Sequence, residues 1–99
     1  MRIISRKRLL DFASVHPDAA VPLDYWYRVA LGAEWKNLAD VRLIYPSADP
    51  VGNFTVFNIK GNNYRLITSI IYSAQRIYIK YVLTHAQYDK DKWKNEPYF

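Results

Sequence analysis

Residues Phe54–Leu83 read FTVFNIKGNNYRLITSIIYSAQRIYIKYVL, and this stretch decides the fold. Three runs, Phe54 to Ile59, Tyr64 to Tyr72 and Ile77 to Leu83, are rich in the β-branched and aromatic residues that suit a pleated surface. Lys60-Gly61-Asn62-Asn63 and Ser73-Ala74-Gln75-Arg76 separate them, with the composition and length of turns. The pattern predicts an antiparallel meander. Pairing Ile59 with Tyr64 sets Asn58 opposite Arg65; pairing Tyr72 with Ile77 sets Arg65 opposite Thr84 and Ser69 opposite Lys80. In that register one face carries Phe57, Ile59, Tyr64, Leu66, Ile70, Tyr72, Ile77, Ile79, Tyr81 and Leu83, enough apolar surface for a core. The other gathers Asn58, Lys60, Arg65, Ser69, Tyr78, Lys80 and Thr84 among Phe54, Val56, Ile67, Ile71 and Val82.

On the N-terminal side, Met1 to Ile4 can form a short strand. Ser5 is placed to cap a helix whose Leu9, Phe12, Ala13 and His16 follow the i, i+3, i+4, i+7 spacing, and Pro17 stops it. A second helix is expected from about Pro22 to between Gly32 and Glu34, with Leu23, Trp26, Tyr27 and Ala30 as its stripe. Both stripes read as core. Residues 37–53 are mixed in pattern, and Pro46, Pro50 and Gly52 mark them as a loop into the sheet. After the sheet, Thr84 and Gln87 have the spacing of a capping box, so His85 to about Asp91 should make a short helical turn. The aromatic tail through Trp93 and Phe99 is left to dock on the core or to fray. The expected architecture is α+β, one domain over residues 1–99, with two N-terminal helices on one face of an antiparallel sheet and a short C-terminal helix.

The composition, 51% apolar and 23% charged, is that of a chain able to bury a single core. With no cysteine there is no disulfide framework, thiolate nucleophile or Cys-based zinc site. No apolar run approaches the roughly 20 residues needed to span a bilayer, and Asp11 interrupts the stretch after Arg6-Lys7-Arg8 that could imitate a secretory signal. The expectation is a soluble, cytoplasmic protein. Its net charge of +5 favours an anionic partner. From Pro50 to Tyr88 the chain runs 39 residues without an Asp or Glu, yet includes Lys60, Arg65, Arg76 and Lys80. Strand-forming segments are depleted in acids by propensity alone, so this window reads either as a phosphate-binding surface or as ordinary β composition.

The motifs exclude several chemistries. Carboxylates and histidines are not clustered in sequence as a metal-assisted hydrolase needs, no G-x-S-x-G nucleophile elbow exists, and Lys60-Gly61 is no P-loop. RNA cleavage by its own 2′-hydroxyl remains, because RNA carries the nucleophile and the protein need only align it, move protons and neutralise charge on the phosphorane. Arg65 and Lys80 suit the last task; His85 and Tyr88 suit the proton transfers, with either as base or acid. A tyrosine is a poor base unless neighbouring cations favour its phenolate, a role expected of Arg65 and Lys80. Each of these residues also has a plain reading, as a solvated sheet charge, a first-turn helix residue or core packing.

The block Phe57-Asn58-Ile59-Lys60-Gly61-Asn62-Asn63-Tyr64-Arg65-Leu66, followed by Tyr78-Ile79-Lys80 and Thr84-His85-Ala86-Gln87-Tyr88-Asp89, resembles the HigB toxins of bacterial type II toxin–antitoxin systems. The likeness extends over nearly the whole chain, including the opening Met1-Arg2-Ile3-Ile4-Ser5. It implies a RelE-like fold and an endoribonuclease that cuts messenger RNA, often on the ribosome. It also implies a HigA-type antitoxin with a helix-turn-helix domain as partner; from the residues themselves, no cofactor or metal is expected. Carried over by position, Arg65 and Lys80 match phosphate-holding sheet residues, and His85 and Tyr88 match the C-terminal motif. Arg is expected where Lys80 stands; the charge is kept but the bidentate fork is lost. Asn58, Lys60, Asn62, Arg76 and Tyr78 are the expected RNA contacts around this centre. A non-catalytic RNA- or ribosome-binding module, and a domain whose basic surface meets an acidic protein, are the competing readings.

Overall fold

The three predicted runs form the middle of a five-stranded sheet in the computed structural model, which describes residues 1–99. Its strands are β1 (Arg2–Ile4), β2 (Asp49–Val51), β3 (Phe54–Ile59), β4 (Tyr64–Ile71) and β5 (Arg76–Thr84), in the order β1-β5-β4-β3-β2. The helices are α1 (Arg6–Val15), α2 (Ala20–Gly32), α3 (Leu38–Ile44) and α4 (His85–Asp89). The sheet is mixed rather than wholly antiparallel. β1 runs parallel to β5, pairing Ile3 with Ile77, because the chain passes through the helical layer before returning to the edge that the meander leaves free.

The first hairpin has the expected register, with Ile59 opposite Tyr64 and Asn58 opposite Arg65. The second does not. Tyr72 turns out of the strand into a 3₁₀ turn, so Ile71 pairs with Arg76, Ile70 with Ile77 and Ser69 with Tyr78. The register then shifts between Ile67, opposite Tyr81, and Thr68, opposite Ile79. Lys80 is the extra residue of this β-bulge, and its carbonyl accepts from Arg8 Nη1 on α1 at 2.8 Å. The bulge reverses the alternation along β5. Ile77, Ile79 and Val82 pack toward the helices, whereas Tyr81 and Leu83 pack on the opposite side, where the sequence pattern had placed Val82.

α1 and α2 cover one face. Leu9, Leu23, Trp26 and Ala30 meet Phe57, Ile59, Leu66, Ile77 and Ile79 in the main core, as both helical stripes predict. Each fully buried large side chain there contributes on the order of 2–3 kcal/mol. Thr68 is fully buried among them and satisfies its hydroxyl on Thr55 O at 2.9 Å. α2 begins at Ala20, two residues before the expected Pro22, after a 3₁₀ turn over Pro17–Ala19. Ser5 precedes α1 in extended geometry without capping it through its side chain.

α3 lies within residues read as a loop. Asn37 caps it by accepting from the Asp40 N–H at 2.9 Å, and Val41 fixes it to the core. α4 starts with the predicted capping box, Gln87 N–H to Thr84 Oγ1 and Thr84 N–H to Gln87 Oε1. The tail docks on the second face of the sheet. Trp93, 4% exposed, joins Phe54, Val56 and Ile67 in a second core, with Phe99, Tyr81, Leu83 and Tyr88 packed around it. That face is therefore apolar and covered over much of its area, and its polar residues are confined to the margins.

Candidate active site

Arg65 is the anchor of the site because β4 holds it almost buried, 9% exposed, with only neutral oxygens around its charge. Nη1 donates to Asn62 O at 3.2 Å and to Tyr64 O at 3.1 Å, and Nη2 donates to Asn62 Oδ1. No carboxylate is among its partners. A nearly buried cation with no carboxylate paired to it directly is an anion-binding candidate.

Its plane lies over the Tyr88 ring, Cζ being 5.5 Å from the ring centroid. On the other side of the tyrosine, Trp93 stacks at 5.1 Å and 16°, while its indole N–H donates to Tyr88 O at 3.0 Å. Tyr88 is thus clamped between the sheet cation and the tail. Together Arg65 and Tyr88 line a cleft of about 330 Å³ with Asn58, Arg42, Ser47 and Asp49. Arg42, in the last turn of α3, is fixed by its Nε donating to Ala48 O at 3.0 Å.

Burial, followed by the field of Asp49, pushes the Tyr88 phenol above its usual value, outweighing the pull of Arg65. The sequence-based expectation of a phenolate favoured by cations is therefore reversed. Tyr88 is a neutral hydroxyl that can give a proton.

His85 sits at the first position of α4, beside the cleft rather than in its wall. Its backbone N–H donates to Asn63 O at 3.1 Å, tying α4 to the turn that holds Arg65. Its Nδ1 lies 2.9 Å from Asp89 Oδ2, an i,i+4 pair that orients the ring and leaves Nε2 for other work.

The remaining expected residues disperse. Lys80 faces the same side of the sheet but belongs to another hollow, with Ser69, Ile71, Tyr78 and Tyr98. Its Nζ lies 3.5 Å from Glu96 Oε1 and 5.1 Å from the Tyr98 ring centroid. Three strand positions, about 10 Å, separate it from Leu83, which opposes Arg65. Lys80 does not line the Arg65 cleft: although the register slip and bulge bring it one strand position nearer than the expected pairing, its ammonium lies against Glu96 and the Tyr98 ring. Lys60 pairs with Asp18 at 2.8 Å on the helical side, and Arg76 lies at the start of β5, far along the sheet. Asn58 lines the cleft and Asn62 holds Arg65. Two of the four cations in the acid-free window thus find acids from outside it. Arg42, Ser47 and Asp49 were missed because their segment reads as a loop. The available signal was Asn37 with Asp40 three residues on, ahead of Val41.

A family model described as HigB toxin, RelE-like toxic component of a toxin-antitoxin system, matches residues 19–91. The mRNA interferase HigB of Escherichia coli O6:H1 is 30% identical over 93 residues, covering 91% of this chain and 90% of its own. The mRNA interferase toxin HigB of Escherichia coli K12 is 31% identical over 97 residues, covering 90% and 88%, and that of Shigella flexneri has the same figures. The matched span includes the Arg65 turn and α4 but not Trp93.

Proposed function

The chain belongs to the HigB family of RelE-like toxins, and from that premise we propose that it is an endoribonuclease that cuts messenger RNA and so arrests translation. The observation that carries this reading is the nearly buried, carboxylate-free guanidinium of Arg65 in the wall of a cleft it shares with a neutral tyrosine. In this reading a bridging phosphate sits against Arg65, which neutralises the charge built on its non-bridging oxygens. The 2′-oxygen bonds to phosphorus as His85 Nε2 takes its proton, with Asp89 holding the imidazole. The bond from phosphorus to the 5′-oxygen breaks as Tyr88 gives that oxygen its proton. The products are a 2′,3′-cyclic phosphate and a 5′-hydroxyl.

No step of this mechanism uses a protein-bound metal. We further propose a RelE-like arrangement of the sheet and helices, action on translating ribosomes in the cytoplasm, and neutralisation by a HigA-type helix-turn-helix antitoxin. Family membership supports an antitoxin partner in general.

Induced expression with mapping of message ends, followed by end-group analysis of products made in EDTA, tests the proposal. Cyclic or 3′-phosphate ends that persist in chelator are expected; 3′-hydroxyl ends, or cutting that stops in chelator, overturn the mechanism. Because the imidazole lies outside the cleft wall, a binding module that holds RNA without cutting it is the second reading. Salt-dependent RNA binding with intact message ends would establish it instead.

A further inference from the structure

The wall of the Arg65 cleft also displays a carboxylate. Asp49 begins β2 directly opposite Val56, so its side chain leaves the sheet on the face that carries Val56, Asn58 and Arg65. It stands two strands across and two positions along from Arg65, a backbone separation of about 12 Å. One nucleotide, from its phosphate to the far edge of its base, can bridge such a gap. Asp49 is exposed, and none of the ion pairs of the molecule engages it. Its field reaches the Tyr88 phenol, which sets the carboxylate near the reacting groups. Asn58, exposed in the same wall, keeps its carboxamide free of bonds within the protein. A carboxylate repels an RNA backbone, and what it attracts in RNA are the N–H groups of the bases.

We propose that Asp49 reads the base adjoining the scissile phosphate and selects guanine, its two oxygens accepting from guanine N1–H and N2–H while Asn58 meets an acceptor of the same base. The inference rests on the ribonuclease reading and deepens it. Guanine alone sets two N–H donors side by side on its Watson–Crick edge. Adenine and cytosine place a ring-nitrogen lone pair beside their amino group, and uracil flanks its single N–H with carbonyls, so each turns an acceptor against a carboxylate oxygen. Single-stranded RNA leaves that edge free to be read.

Mapping of message ends after induced expression compares the wild type with Asp49→Asn and Asp49→Ala. The wild type is expected to show guanine enriched beside the cut. An asparagine presents one acceptor and one donor, the complement of adenine N6–H and N1. Asp49→Asn should therefore lower the guanine-to-adenine ratio at the cut at least about fivefold, and Asp49→Ala should lose preference for either base. An unchanged ratio in Asp49→Asn, or wild-type cuts without a guanine preference, overturns the inference and leaves the ribonuclease reading standing. An Asp49→Asn protein that is folded by circular dichroism and cuts nothing places the carboxylate in the chemistry instead, and also overturns it. Titration of the wild type with guanosine and adenosine 3′-monophosphates, followed by NMR, needs no variant to fold. Guanylate should bind at least about fivefold more tightly, and equal binding overturns the assignment. Absence of any cutting by the wild type defeats the ribonuclease reading itself, and the inference with it.

Discussion

Arg65 and Tyr88 are a pair in which each sets the other's chemistry. The guanidinium donates to three neutral oxygens and lies over a ring, and no carboxylate pairs with it directly, so an arriving phosphate would be its first direct anionic partner. Arg65→Ala is expected to slow cleavage by about 10²–10³, and Arg65→Lys to recover only part, since an ammonium keeps the charge without the planar fork. Rates on a defined message segment check both. Tyr88→Phe keeps the ring between Arg65 and Trp93 but removes the proton, and a fall of about 10²–10⁴ is expected with thermal unfolding unchanged. The raised phenol fixes the sign of the pH effect. Tyr88 remains protonated past the ordinary phenol value, so this group should impose an alkaline fall in rate only above about pH 10. A loss of rate in Tyr88→Phe that disappears at neutral pH would contradict its role as proton donor.

At the scale of elements, the tail is a structural part of the site. Trp93 closes the second core and forms the floor under Tyr88, so Trp93→Ala should cost about 3–5 kcal/mol in denaturant unfolding and lower activity through displacement of Tyr88. The β2–β3 hairpin meets the same tail. Gly52 has φ +57°, and a Cβ there would stand 2.7 Å from the Phe99 ring, whereas Gly61, at φ +62°, faces open space. Gly52→Ala is therefore expected to destabilise by more than Gly61→Ala, which meets only the backbone penalty of roughly 1 kcal/mol. Equal unfolding midpoints for the two variants would show that Phe99 gives way without cost.

Across the whole molecule, phenols link the layers. Asp18 accepts from Lys60 and from the Tyr64 hydroxyl, at 2.8 and 2.6 Å, joining the helical layer to the β3–β4 turn. Tyr81 donates to Glu96 at 3.0 Å, joining β5 to the tail. These bonds raise Tyr64 and Tyr81, while burial raises Tyr45, Tyr72 and Tyr88. A phenol whose folded value is raised contributes stability that is complete below its unfolded value near 10 and lost as pH rises through the folded one. The denaturant midpoint should thus fall between about pH 10 and about 12, the value reached by Tyr45. A midpoint unchanged to about pH 12 would show that these phenols titrate alike in the folded and unfolded chain.

Local chemistry was enough to reveal the three central strands, the Ile59–Tyr64 hairpin, both helical stripes and the Thr84–Gln87 cap, since each depends on residues a few positions apart. It also singled out Arg65 and Tyr88. Tertiary structure alone decided that Tyr81 and Leu83 join the second core and Val82 the first, because one unmatched residue in β5 reverses its alternation and leaves no mark in the pattern of apolar residues. It decided which cations stay unpaired as well: Asp18 reaches Lys60 across 42 residues and Glu96 reaches Lys80 across 16. Arg42 and Asp49 entered the cleft by the same route, through a helix whose short sequence only its contact with the core makes stable.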